Sequence, residues 1–185
     1  MIYPVTVFGD PVLRKKAEPI TKDFPNLKEF VQNMFDTMYN SDGVGLAAPQ
    51  VGQAIRIFVI DSTTDEEEDD EVPGIKRAFI NPEILEKKGD EWVMNEGCLS
   101  LPEIREDVCR PETVKIKYND EDFNEYIEEF SGFTSRVIQH EYDHLEGVMF
   151  VDYLNPLKKR ILKSKLTAIS KGKVIPKYRI KVPGK

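Results

Sequence analysis

Between residues 24 and 40, apolar side chains fall at Leu27, Phe30, Val31, Met34, Phe35 and Met38. That i, i+3, i+4, i+7 spacing predicts an amphipathic helix with one face on a core. The turn formers Asn40-Ser41-Asp42-Gly43 end it. The run Gly43-Val44-Gly45-Leu46-Ala47-Ala48-Pro49-Gln50 then offers small residues that let a backbone pass close to another chain or pack as a strand edge. Runs of β-formers predict short strands over residues 55–60, 78–85, 91–94, 114–118 and 126–130. The short Asn119-Asp120-Glu121-Asp122 turn favours antiparallel pairing. A second helix is predicted over residues 132–146, closed by Gly147. The last helix has Asn155 as its cap and Pro156 at its first position, with Leu157, Ile161, Leu162, Leu166 and Ile169 as its apolar stripe. Helices at both ends with strands between them make the expected fold class α+β.

Length and composition change this picture little. A chain of 185 residues suits one domain that buries roughly two thirds of its unfolded surface. With 40% hydrophobic and 32% charged residues it is neither disordered nor fibrous, and no apolar run approaches a bilayer's thickness. Met1-Ile2-Tyr3-Pro4 has no basic and apolar leader, which predicts a cytoplasmic location and no membrane partner. Cys98 and Cys109 are then expected to be thiols. His140 and His144 are the only histidines.

Charge is more informative by position than in total. Of 26 Lys and Arg, 11 lie in residues 156–185, which hold no Asp or Glu, so the net −7 divides into −18 for residues 1–155 and +11 for the rest. A tail of that sign is expected to meet a polyanion or to form a solvated helix face and end. Residues 65–71 are an unbroken acidic run, from Asp65 to Glu71, and mutual repulsion predicts a mobile loop.

The chemistry is concentrated in His140-Glu141-Tyr142-Asp143-His144, an HExxH pattern. On a helix, residues four apart share a face, so both imidazoles can reach one metal ion while Glu141 stands beside it to accept a proton from water. A peptidase of the thermolysin type would take its third ligand from a glutamate well downstream, and a metzincin from a third histidine. Glu146 and Asp152 are the only carboxylates after His144, both too near, and no further histidine exists. The third ligand is therefore expected upstream, where Cys98 and Cys109 offer thiolates. Glu96-Gly97-Cys98-Leu99-Ser100 looks like a strand end turning into a loop, whereas Cys109 between Val108 and Arg110 reads as a small buried hydrophobe.

Three ordered blocks, Gly43 to Gln50, Glu96 to Ser100 and Gln139 to His144, together with the opening Gly9-Asp10-Pro11-Val12-Leu13-Arg14, resemble the peptide deformylase family over about residues 1–165. The resemblance implies antiparallel sheets packed around a central HExxH helix, with N-terminal and C-terminal helices. It implies a single catalytic domain over residues 1–170, including the C-terminal helix 156–170, and a basic tail over 171–185. It implies removal of the formyl group from the N-terminal formyl-methionine of new proteins. Cys98, His140 and His144 become the ligands of one divalent ion, Fe(II) in the native state with Zn, Ni or Co as substitutes.

By the same resemblance Glu141 is the general base, and the Gln50 amide and Leu99 backbone N–H are oxyanion donors. The peptide would lie extended between Val44-Gly45 and Gly97, its methionine in a pocket bounded by Val44 and Val137. Arg105 is expected to hold Glu96 in a supporting role, and Arg136 to fall at the pocket rim. The C-terminal helix and tail are expected to dock on the ribosome, with formyl-methionyl nascent peptides as substrates and no specific DNA partner. Two alternatives stand beside this reading: an HExxH metallopeptidase, which the missing downstream ligand disfavours, and a non-catalytic ribosome binder with a structural metal, which would need neither Glu141 nor Gln50.

Overall fold

The apolar run Ile57-Phe58-Val59-Ile60 has no alternation because both of its faces are covered. It forms the middle of a chain ordered β1 (Val5–Thr6), α1 (Leu27–Asn40), β2 (Gly45–Ala47), β3 (Ile57–Asp61), β4 (Lys76–Gly97), β5 (Arg105–Asn119), β6 (Glu125–Phe130), α2 (Gly132–Leu145), α3 (Pro156–Ser170) and β7 (Ile180–Lys181). This computed structural model describes residues 1–63 and 73–184. The acidic run expected to be a mobile loop lies outside the described residues.

The class is α+β, as expected. Among the described residues the antiparallel sheet has five strands in the order β2-β3-β4-β5-β6, and in a separate two-stranded ribbon β1 and β7 run parallel. On one face of the sheet, Leu46, Ile57, Val59, Ala78 and Ile80 meet Leu27, Val31, Met34, Phe35 and Met38 of α1. On the other, Ala47, Phe58, Ile60, Phe79, Val114 and Ile116 meet Val137, Ile138 and Leu145 of α2. Phe79 lies 4.7 Å from Phe58 and 4.4 Å from Tyr118, ring centre to ring centre. Each large apolar side chain buried here contributes roughly 1.5–3 kcal/mol of transfer free energy. The packing fixes α2 against the sheet and so fixes what α2 carries.

Several boundaries differ from the sequence expectation. Helix α1 begins at Leu27, since Pro25 and the left-handed Asn26 (φ 53°) turn the chain first. The two strands expected at 78–85 and 91–94 are one strand, β4. Its middle, from Leu85 to Glu91, is exposed, so no apolar alternation marks it; backbone pairing to β5 continues through it with register shifts. Strand β5 likewise starts at Arg105. Asn155 caps α3 by accepting the Lys158 N–H at 2.9 Å, but of the expected stripe only Leu162 and Ile169 are fully covered, while Leu157 and Ile161 are 67% and 68% exposed. No helix among the described residues is long and apolar enough to cross a membrane.

Candidate metal centre

His140 and His144 stand one turn apart on α2, with their rings 5.1 Å apart and nearly perpendicular. Strand β4 ends at Gly97, and the next residue puts its sulfur against that helix: Cys98 Sγ lies 3.3 Å from His144 Nε2. The donor atoms of Cys98, His140 and His144 all fall within 4.8 Å of one another. Cys109 takes no part. It is exposed, not buried, and its thiol contacts Glu91 at 3.6 Å.

The residues fit a divalent ion. His140 Nδ1 is held by Glu96 Oε2 at 2.9 Å, so its other ring nitrogen is turned to the cluster. Glu141 is 4% exposed, and its Oε2 is buried without a hydrogen-bond partner. Burial pushes the Glu141 carboxyl up to about 7, with the charge of His140 pulling the other way. One thiolate and two imidazoles suit Fe, Co, Ni or Zn better than a hard cation.

Glu96 is the hub of a buried network. Its Oε1 accepts from Arg110 Nε at 2.7 Å and from Arg136 Nη1 at 3.0 Å, and its Oε2 from Arg110 Nη2 at 3.0 Å as well as from His140. Burial alone would raise the Glu96 carboxyl; the hydrogen bonds from His140 and Arg110 hold it well below the usual carboxylate range. Arg110 also donates to Asp143 Oδ2 at 2.7 Å, and the Tyr153 hydroxyl donates to the same oxygen at 3.0 Å. The network locks one imidazole to the end of β4 and to the inner face of β5.

One sequence expectation is corrected here. Arg105 does not hold Glu96: its guanidinium donates to Asn95 Oδ1 and to the Asn95 carbonyl, both at 2.9 Å, on the outer side of the strand. Arg110, which the motif comparison passed over, has that place. Val108 and Arg110 point inward, two residues apart, while Arg105, Asp107 and Cys109 are exposed; the alternation breaks at exposed Glu112 and buried Thr113 before it resumes at Val114, Ile116 and Tyr118. Arg136 does line the cleft, but its guanidinium is drawn inward, donating to Glu96, to the Val108 carbonyl at 3.1 Å and to the Trp92 carbonyl at 2.7 Å.

Above the donors is a cavity of about 390 Å³ whose walls include Val44, Gly45, Gly97 and Val137. Gln50 is buried; its Oε1 accepts the Ala47 N–H at 2.8 Å, which aims Nε2 at Cys98 Sγ (3.5 Å) and Ser100 Oγ (3.3 Å). Leu99 also borders the cavity, in a turn closed by the Leu101 N–H on the Cys98 carbonyl at 2.8 Å. Tyr178, far outside every motif, reaches this wall too and donates its hydroxyl to the Leu99 carbonyl at 2.8 Å. Its sequence surroundings are basic and carry no signal of such a contact.

A glutamate left buried and unpartnered beside three soft donors is suited to moving a proton, not to cementing a fold, and this puts the chain among the metallohydrolases. The thiolate at the place where HExxH peptidases bring a later carboxylate or histidine narrows the class. The chain belongs to the polypeptide deformylase family, whose model matches residues 2–160. Peptide deformylase of Christiangramia forsetii is 53% identical over 190 residues, covering 99% of this chain and 97% of that one. Peptide deformylase of Flavobacterium johnsoniae is 54% identical, covering 98% and 96%. Among solved structures, peptide deformylase from Thermotoga maritima is 46% identical with a TM-score of 0.74, covering 84% of this chain and 99% of its own. That from Legionella pneumophila is 37% identical with a TM-score of 0.80, covering 94% and 98%.

Proposed function

We propose that Glu141, Gln50 and the Leu99 N–H carry out hydrolysis of a formyl amide beside a divalent ion held by Cys98, His140 and His144. The enzyme is a metal-dependent peptide deformylase that removes the formyl group from an N-terminal methionine, releasing formate and a free amine. The observation that carries the assignment of roles is the buried, unpartnered Oε2 of Glu141 beside the converging donors of Cys98, His140 and His144.

The bound ion supplies Lewis acidity, making water acidic and polarising the formyl carbonyl. Glu141 takes a proton from the attacking water and returns it to the departing amine; a carboxyl raised toward neutrality suits both transfers. Gln50 Nε2, fixed by the bond of its Oε1 to Ala47, and the Leu99 N–H face the developing oxyanion. Strand β2 is an edge strand, so the peptide can lie extended against Val44 and Gly45 with Gly97 on its other side. Its methionine enters the apolar wall of Val44 and Val137.

Fe(II) is the native ion in this reading, with Zn, Ni or Co as working substitutes, because all accept these donors. The enzyme works in the cytoplasm on nascent formyl-methionyl chains. The exposed Leu157 and Ile161 and the surrounding cations of α3 form the surface that docks on the ribosome. Anaerobic purification with metal analysis, coupled to formate release from a formyl-methionyl peptide, tests the assignment. One ion per chain and turnover that is lost on chelation are expected; turnover persisting in metal-free protein overturns it.

A further inference from the structure

The Cys98–Leu101 turn lies outside both the sheet and α2, and the position of both the Cys98 sulfur and the Leu99 N–H depends on it. Leu99 is the second residue of that turn, so its N–H and its carbonyl flank one Cα, and displacement of the carbonyl carries the N–H with it. A carbonyl without a partner at this place leaves that movement open.

Here it is closed from several sides. The Ser100 carbonyl accepts the Phe8 N–H at 2.9 Å, the Ser100 hydroxyl accepts Gln50 Nε2 at 3.3 Å, and the Leu99 carbonyl accepts the Tyr178 hydroxyl at 2.8 Å. Phe8 and Tyr178 are 170 residues apart in sequence, yet both flank the same two-stranded ribbon. Val5 donates to the Arg179 carbonyl at 2.8 Å and Val7 to the Lys181 carbonyl at 3.1 Å, so β1 and β7 are clamped together beside the turn. A tyrosine hydroxyl ordinarily titrates near 10 and is a donor at neutral pH. Its ring also forms part of the cavity wall.

We infer that Tyr178 is a positioning residue for deformylation: its hydroxyl holds the Leu99 carbonyl and thereby fixes the turn that presents the Leu99 N–H and the Cys98 sulfur. The inference rests on the proposed oxyanion role of Leu99. It gives the C-terminal segment a part in setting the rate of the chemical step, separate from any part in docking.

Tyr178→Phe in the full-length, anaerobically loaded enzyme removes the hydroxyl and keeps the ring. Turnover of a formyl-methionyl peptide is expected to fall by about twofold to tenfold in kcat, the worth of one ordinary hydrogen bond. KM, metal content and thermal midpoint should stay at wild-type values, which a purely structural role would not allow. Tyr178→Leu, which also alters the wall, should raise KM in addition. Wild-type kcat in Tyr178→Phe, or a loss that only tracks lost metal or lost folded protein, overturns the inference. Glu141→Gln and Gln50→Ala run beside it separate the causes of failure. If those two lose turnover while Tyr178→Phe does not, the inference alone fails; if those two retain it, the site assignment fails and this inference falls with it.

Discussion

Gly45 is bare because Glu141 occupies the space a side chain would need: a Cβ built at Gly45 would lie 2.5 Å from Glu141 Oε1 and 2.8 Å from its Cγ. No real Cβ sits so close to another heavy atom, and Glu141 is buried with little room to yield. Gly45→Ala is therefore expected to lower kcat for a formyl-methionyl peptide by at least about tenfold by displacing the carboxylate. Metal content should be unchanged, and metal analysis beside steady-state kinetics checks both halves.

Glu141→Gln keeps the shape and removes the base. Loss of a positioned general base typically costs ~10²–10⁴-fold, so turnover should fall by that much while one ion per chain is retained. Near-normal rates would show that another group moves the proton.

Cys98→Ala should release the metal and abolish turnover, because it deletes one of three donors that lie within 4.8 Å of one another. Cys109→Ala, on the exposed face of β5, should change neither. Metal content after desalting distinguishes them, and the reverse pattern would refute the assignment.

Arg110→Met leaves Glu96 and Asp143 short of a buried partner, and removing one member of such a network typically costs about 3–5 kcal/mol. Arg105→Ala, whose bonds are to Asn95 at the surface, should cost under about 1 kcal/mol. Urea unfolding of the two variants measures the contrast, and equal losses would contradict the placement of Glu96 against Arg110.

Replacing Arg160, Lys163 and Lys165, all exposed on α3, with glutamate should weaken association with purified ribosomes and flatten its salt dependence. Deformylation of a free peptide should remain at the wild-type rate, since none of the three borders the cavity. Undiminished binding would exclude this face as the docking surface.

What could be read from the sequence followed from spacing. Four-residue separation put two imidazoles on one helix face, and the stripe from Leu27 to Met38 marked α1 to its last turn. What could not be read depended on partners far along the chain. The exposed middle of β4 is strand only because β5 pairs with it, and no local pattern encodes that pairing. Arg105 matches a family position, whereas Arg110 lies four residues before the strand that the β-formers predict from residue 114. Tyr178 lies between Lys177 and Arg179, and only the pairing of β7 with β1 carries it to Leu99.

That pairing also orders events in time. Strand β7 follows β1 at a distance of about 175 residues, so the ribbon cannot close while the intervening elements are still being synthesised. Helices α1 and α2 and the five-stranded sheet need only residues 27 to 145 and can form beforehand. The turn bearing Cys98 and Leu99 gains its Tyr178 contact only when residue 180 is free to reach residue 5. An enzyme that trims the front ends of other chains thus completes its own site only after the residues of β7 have been made.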